Sequence, residues 1–317
     1  MGRADSRAVL PPWTPQLRLA LASCDSLPDW EVDDLPLHRA LRAMGVDLSV
    51  VPWSDPAFPW GAQDGVLVRT TWDYTRRLPE FLAWVDRVAS ACPLFNPAPV
   101  LRWNTTKTYL AELAGQGIPV APTTWLARGA RPDLGAEIAA LGVRRAFAKP
   151  VVGATAEGTR RLDRDGPDPD LDQAWLHQEL ERRDMMLQPY LDRVEREGEV
   201  SLLFVDGALA HAVRKLPRPG DYRVQDDFGA SDGPMTPDAD LLALGARIVA
   251  AAVARLDLPE PLLYARVDLL FDSAGAPVLT ELELVEPSLF LRHSPQTAER
   301  LARALCRRLG LGQGEAR

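Results

Sequence analysis

The 317-residue chain is almost without lysine: Lys107, Lys149 and Lys215 stand against 33 arginines. Asparagine is equally scarce, present only as Asn96 and Asn104. Arginine codons are GC-rich and lysine codons are not, so the bias reads as genome composition. Under that pressure exposed lysines drift to arginine at little cost. Lysine persists where a forked guanidinium cannot replace a compact ammonium. The three survivors are candidate functional groups before any motif is considered. Cysteine is short too. Cys24, Cys92 and Cys306 are odd in number and far apart, which excludes a disulfide framework and a zinc spacing and points to a reducing cytoplasm. No apolar run approaches the roughly 20 residues that span a bilayer. The first dozen residues, with Arg3, Arg7, Pro11 and Pro12, read as a loose arm without a signal-peptide core. Met1-Gly2 followed by Ser6 fits an acylation pattern only formally. Basic charge is also missing. A net charge of −8 and a pI near 5.2 exclude a nucleic-acid surface, which needs cations to neutralise phosphates.

What is present is an ordinary globular composition, 46% apolar and 25% charged, with enough length for more than one domain. Leu17–Ser23, Val46–Trp53, Asp64–Tyr74 and Pro93–Pro97 carry strand patterns. Between them, Asp33–Met44 and Leu78–Ala91 carry apolar residues at helical spacing, with Asp33 or Asp34 placed to cap the first helix. This alternation predicts a small parallel α/β domain over residues 1–100. Asn104–Gly115 reads as one helix, and Gly117–Thr123 leads into a new strand. A second domain is expected over 101–317. Its smaller lobe covers about 120–190, and a larger lobe of antiparallel strands covers about 191–310. Val205-Asp-Gly-Ala208 and Ser273-Ala-Gly-Ala276 supply hairpin turns. Asp238–Arg255 and Pro295–Leu309 are the last helices. The fold class is α/β with α+β lobes, and no internal repeat is present.

The chemistry begins at "FAKPVVGATAEGT" (Phe147–Thr159). Lys149 ends an apolar strand, and Gly153 and Gly158 lie in a flexible loop behind it. Backbone N–H groups of such a loop can surround phosphate oxygens while the ammonium supplies a point charge. The loop fits neither G-x-x-x-x-G-K-[ST] nor a dinucleotide fingerprint. Farther on, "MLQPYL" (Met186–Leu191) can offer backbone polar groups to an adenine edge. Glu199, Lys215, Arg223, Arg266, Asp268, Glu281 and Glu283 follow in order. Glu281 and Glu283 share one face of a strand. If Asp268 faces the same way on a neighbouring strand, three carboxylates converge, and such a group needs a cation. Mg²⁺ takes one or two carboxylates together with substrate phosphates. Read singly, E-x-E is more often the wet face of an edge strand. The joint order carries the inference.

That order resembles the ATP-grasp ligase superfamily over most of the chain, in the branch of glutathione synthetase and the ribosomal-protein glutamate ligases. "ELELVEP" (Glu281–Pro287) is similar to that branch's metal motif, with Glu283 where asparagine is usual. "YRVQ" (Tyr222–Gln225) and "LQPYL" resemble two others. "RTTWDY" (Arg69–Tyr74), "NPAPVLRWNTTKTYL" (Asn96–Leu110), "KPVVGATAEGT" and "EPSLFLRHSP" (Glu286–Pro295) resemble a narrower group. That group includes the cyclo-ligase that closes O-ureido-D-serine to D-cycloserine.

The resemblance implies a pre-grasp domain and two lobes enclosing ATP and Mg²⁺, with Mn²⁺ as an alternative ion. It implies an ADP-forming C–N ligase acting through an acyl phosphate on a small amino-acid-like substrate, in the cytoplasm and as a homodimer. ATP contacts are expected from Lys107, Lys149, Gly153 and Gly158. Gln188, Tyr190 and Leu191 are expected at the adenine and Glu199 near the ribose. Asp268, Glu281 and Glu283 are expected on the metal. Arg223, Lys215 and Arg266 are expected at the transferring phosphoryl group. Arg69 and Asp73 follow a strand of a parallel sheet, where ligands bind. They are expected at the substrate, as are Arg292, His293 and Ser294, with pairing of Arg69 to Asp73 as the alternative. Ring closure within one molecule competes with joining of two substrates and with an ATP-binding scaffold that does not turn over.

Overall fold

The structure, a computed structural model, describes residues 16–27, 32–224 and 229–311. The N-terminal arm and Gln225 of the Tyr222–Gln225 motif lie outside them.

The first sheet holds β1 (Arg18–Ser23), β2 (Asp47–Pro52), β3 (Gly65–Thr70) and β4 (Leu94–Phe95) in the order β2-β1-β3-β4, all parallel. Its strands read as near-continuous apolar runs because both faces are covered. On one face, α2 (Leu78–Ala89) buries Phe81, Trp84, Val85 and Val88 against Ala20, Ala22, Val66 and Val68. On the other lies α1 (Leu35–Ala43). Asp34 stands at the N-cap of α1 but makes no side-chain cap. It and Asp33 are buried in cross-links to other parts of the chain, so neither caps the helix as expected.

The stretch expected as one helix from Asn104 is two. α3 (Ala98–Asn104) and α4 (Tyr109–Gly115) are separated by a turn that carries Lys107. The break matters, because a lysine in a turn has its whole stem free to project. The second sheet follows: β5 (Thr124–Leu126), β6 (Arg145–Pro150), β7 (Arg160–Asp163) and β8 (Met185–Pro189). Its order is β5-β8-β6-β7, all antiparallel. α5 (Leu134–Ala140) and α6 (Pro169–Arg182) give it a separate apolar core of Leu134, Ile138, Leu176 and Leu180 against Ala146, Ala148 and Leu187.

After a single turn, α7 (Val194–Glu197), comes the third sheet. β9 (Glu199–Val205), β10 (Ala208–Leu216), β11 (Ser231–Met235), β12 (Tyr264–Phe271) and β13 (Pro277–Glu283) pair antiparallel in the order β11-β10-β9-β12-β13. α8 (Ala239–Arg255) covers one face through Leu202, Phe204 and Val267. The opposite face changes character along its length. At one end Leu203, Val205, Val213 and Tyr264 pack on α9 (Pro295–Arg308), which also meets α1 and β1. At the other end the same strands present Glu199, Ser201, Lys215, Arg266 and Asp268, because residues two apart point the same way. The parallel sheet and the antiparallel sheet thus share one apolar core, which ends where the charges begin.

The two asparagines brace this junction. Asn96 donates from Nδ2 to the carbonyls of Tyr264 (3.0 Å) and Leu284 (2.9 Å) and accepts from Leu263 N–H at 3.0 Å. Asn104 donates to the Leu282 carbonyl and accepts from Leu284 N–H, each at 2.7 Å. A short amide that both donates and accepts is required at each place, which arginine or alanine cannot supply. Among the described residues no helix is long and apolar enough to cross a membrane.

Candidate active site

Between the second and third sheets opens a cleft of about 260 Å³. All three lysines line it. Lys149 projects from the end of β6, is buried, and donates from Nζ to Glu281 Oε1 at 2.8 Å. Lys107 in the α3–α4 turn lies 3.7 Å from the same oxygen and donates to the Gly153 carbonyl at 2.8 Å. Lys215 on β10 pairs with Glu199 and lies 3.8 Å from Asp268 Oδ1. Gly198 makes that pair attainable. Its φ is +70°, and a Cβ there would stand 2.0 Å from the Lys215 carbonyl oxygen, so a side chain would push β9 and β10 apart.

Antiparallel register sets Asp268 opposite Glu281 and Arg266 opposite Glu283. Arg266 bridges two acids, donating from Nη2 to Asp268 Oδ2 at 2.9 Å and to Glu283. Ser201 Oγ donates to Asp268 Oδ1 at 2.5 Å. Four cations, Lys107, Lys149, Lys215 and Arg266, therefore meet four carboxylates, Glu199, Asp268, Glu281 and Glu283. The expected convergence of three acids does not occur in this state. Among the described residues no three acidic or metal-ligating side chains form a chelating group; Glu281 is held by Lys107 and Lys149, while Asp268 and Glu283 share Arg266. Burial opposes the charge on Glu281, and Lys107 and Lys149 outweigh it, holding the carboxyl well below the ordinary range. Asp268 follows the same logic, with Arg266 and Lys215 outweighing burial. Glu283 goes the other way. Burial pushes it up to about 7, Arg266 opposes that, and Asp268 and Glu281 add to it.

The other expected residues divide. Gly153, Gln188, Tyr190, Leu191 and Arg223 line the cleft. Gln188 is fastened through Nε2 to Thr123 Oγ1 at 2.9 Å, and Tyr190 lies under the guanidinium groups of Arg145 and Arg161. Arg223 pairs with Asp221 at 2.8 Å. Glu199, expected near a ribose, also lines the cleft and pairs there with Lys215. Gly158 packs against the Arg183 side chain and is not among the cleft residues.

The expected substrate residues have protein partners of their own. Arg69 is 2% exposed and makes a two-pronged pair with Asp34 (2.9 and 2.8 Å), with a further bond to the Pro287 carbonyl. Asp73 accepts from Trp53 Nε1 at 2.8 Å and pairs with Arg77, so Arg69 and Asp73 do not pair with each other. Arg292 binds Asp33 and Asp232, His293 binds Asp232, and Ser294 Oγ accepts from Thr297. None of the five lines the cleft. Asp33 also accepts from Ser288 Oγ at 2.9 Å, so this network fastens the chain after β13 to the segment preceding α1.

A family model described as the N-terminal domain of D-cycloserine synthetase DcsG matches residues 19–96. The cycloserine biosynthesis protein DcsG of Streptomyces lavendulae is 37% identical over 290 residues, covering 88% of this chain and 94% of that protein. The chain belongs to the DcsG family. A crystal structure of D-cycloserine synthetase DcsG superposes with a TM-score of 0.83 at 35% identity, covering 92% of this chain and 99% of that one. The fold extends further. The ATP-grasp ligase PsnB, in a complex with minimal precursor, Mg and ADP, matches at a TM-score of 0.61 and 16% identity over 92% of this chain and 98% of its own. The DcsG-family chain thus shares the fold of the ATP-grasp ligases, and its second and third sheets are the two layers that enclose the cleft.

Sequence reasoning missed several groups in the DcsG-family cleft. Phe147 lines it two residues before Lys149 on the same strand face, and the strand period alone would have found it. Glu157, Ser288 and Phe290 also line it, as does Trp72, which follows Arg69 closely enough in sequence to be expected beside the pocket. Phe290 is buried in the left-handed region at φ 49°, with Arg292, Arg266 and Lys215 at 5.1–5.8 Å from its ring centre. No sequence period signals a side chain placed by such a backbone.

Proposed function

We propose that this ligase binds ATP with Mg²⁺ in the cleft and activates the carboxylate of a small amino-acid-like substrate as an acyl phosphate. A nitrogen of the same molecule then attacks, closing a ring. The observation that carries the reading is the union in one cleft of every lysine of the chain with Arg266 and four paired carboxylates. Nucleotide phosphates supply the anions for which Lys107 and Lys149 would exchange Glu281. Glu281 then turns to a metal instead of an ammonium. The donor set suits Mg²⁺ in kind, since Asp268, Glu281 and Glu283 offer hard oxygens on adjacent, registered strands. When bound, Mg²⁺ would neutralise charge on the transferring phosphoryl group.

The chain's own residues do the rest. Lys149 and Lys107 orient the phosphates, with the Gly153–Gly158 loop above them. The aromatic and apolar end of the cleft, Phe147, Tyr190, Leu191 and Val194, receives the base. Arg266 and Lys215 hold positive charge where the substrate carboxylate meets the phosphate. Burial opposes both charges, and their acidic neighbours raise both pKa values above the ordinary range, so each stays cationic. Carboxylate attack on the γ-phosphorus breaks the bond to ADP. Nitrogen attack on the acyl carbon then expels phosphate. Family membership at 37% identity and the D-cycloserine synthetase name of the 35% identical structure support O-ureido-D-serine as the substrate.

The deciding experiment incubates the protein with ATP, Mg²⁺ and a panel of amino acids that includes O-ureido-D-serine, follows ADP, and weighs the products. Ring closure gives a product built from a single substrate molecule: loss of one water marks the closed ring, and D-cycloserine formed from O-ureido-D-serine has in addition lost the carbamoyl group, hydrolysed to carbon dioxide and ammonia. A product joining two substrates would replace this reading with intermolecular ligation, and absence of ADP with every acid would leave a nucleotide-binding scaffold.

A further inference from the structure

One short 3-10 segment, Trp72–Arg76, touches both sides of the cleft mouth. Its first residue, Trp72, lines the cleft and donates from Nε1 to the Glu286 carbonyl at 3.3 Å, on the chain just beyond β13. Its last residue, Arg76, reaches the glycine loop, with Nη2 2.9 Å from Glu157 Oε2. Between them Tyr74 is buried and stacks on Phe81 of α2, ring centres 4.8 Å apart. The segment is thus seated through Tyr74 on the parallel-sheet domain, with only three residues between Trp72 and Arg76.

The loop is held from outside at few points. Thr155 (φ 50°), Ala156 (φ 57°) and Gly158 (φ 70°) are all left-handed. Glycine tolerates this freely, while Thr155 and Ala156 are strained by their Cβ atoms. Strain of that kind persists only where contacts impose it. Among the described residues two hydrogen bonds cross to Gly153–Gly158 from other parts of the chain, Lys107 on the Gly153 carbonyl and Arg76 on Glu157, and the Arg183 side chain packs against Gly158. Lys107 is the group that the proposed function turns toward phosphate, which leaves Gly153 released. The Arg76–Glu157 pair remains.

We propose that Arg76 is a positioning residue: through Glu157 it fastens the glycine loop to the wall that carries Trp72, so that loop closure over the phosphates is coupled to the substrate end of the cleft. The inference rests on the reading of the cleft as a nucleotide site. Coupling of this kind is reciprocal, so substrate tightens nucleotide and nucleotide tightens substrate. Both side chains are largely exposed. Such pairs are individually weak and are screened by salt, so the effect is modest in size.

The test compares the wild type, Arg76→Glu, Glu157→Arg and the double reversal by calorimetric titration with ADP and Mg²⁺, alongside ATP kinetics. Each single reversal is expected to weaken ADP binding about three- to five-fold, with a higher ATP KM, and the double reversal to return within about twofold of wild type. In 1 M salt the differences should close. Single reversals that bind like wild type, or a double reversal as weak as the two losses combined, would overturn the coupling. If the wild type itself binds no ADP, the reading of the cleft fails, and the coupling fails with it.

Discussion

The Nζ of Lys149 lies 2.8 Å from Oε1 of Glu281, across the gap between two sheets that share no strand. A cation from the smaller sheet is neutralised by an acid from the larger one. Four cations thus meet four carboxylates in the cleft, so under the proposed function a nucleotide would enter by exchange with these acids rather than by simple attraction. Replacing Lys149 removes a fixed charge from the phosphates. Lys149→Ala is expected to lower substrate-dependent ADP formation by on the order of 100-fold, the cost of losing one preorganised charge partner. The circular dichroism spectrum should stay the same. Glu281→Ala should be comparable and should also weaken the dependence on Mg²⁺. Full activity in either variant would count against the proposed function.

Arg69 ties β3 to Asp34 and to the chain beyond β13. It is buried, paired twice to Asp34 and bonded to the Pro287 carbonyl. Arg69→Ala leaves the Asp34 carboxylate buried without its partner. The expected loss is about 3–5 kcal/mol of stability, read from urea denaturation. A variant with unchanged stability and a raised substrate KM would restore the substrate role.

Asn104 gives a second structural prediction. Asn104→Ala strands the Leu282 carbonyl and the Leu284 N–H, both buried at the end of β13. Each unmade bond costs about 1–3 kcal/mol, so a melting-temperature drop of several degrees is expected, with Asn104→Asp no better because it cannot donate.

Glu286 supplies a pH dependence. Burial first, and Glu283 second, push its carboxyl up from the ordinary 4.5 to about 8. The folded state therefore favours the protonated acid. Its contribution to stability is complete below about pH 4.5 and is lost as pH rises through 8. The nucleotide-free protein should melt at falling temperature between pH 6 and 9, and Glu286→Gln should flatten that slope. Parallel slopes for the two proteins would remove Glu286 as the cause.

Much of the fold was legible because it follows local periods. The apolar runs at Leu17–Ser23 and Asp64–Tyr74, the stripe of Leu78–Ala91 and the alternation in "YARVDLLF" each give the observed element. The turn at Lys107 was not legible, since Asn104–Gly115 has a helix-compatible composition throughout. What ends α3 is Asn104 turning to bind β13, a partner some 180 residues away along the chain. Asp33 and Asp34 stand at a helix start, where capping is the local expectation. Buried arginine and serine partners from other segments outbid the helix for their oxygens.

Taken alone, the sequence determined the strand and helix order, the glycine loop and the set of charges that meet in the cleft. These depend on residue type and spacing, and the scarcity of lysine marked three of them out. Tertiary structure alone decided which acid faces which cation, and it paired Arg69 with Asp34, Asp73 with Arg77, and Arg292 and His293 with Asp232. It also closed Arg76 onto Glu157. Pairing between distant charges is set by how sheets dock, and sheet docking is governed by shared apolar cores rather than by the charged residues themselves.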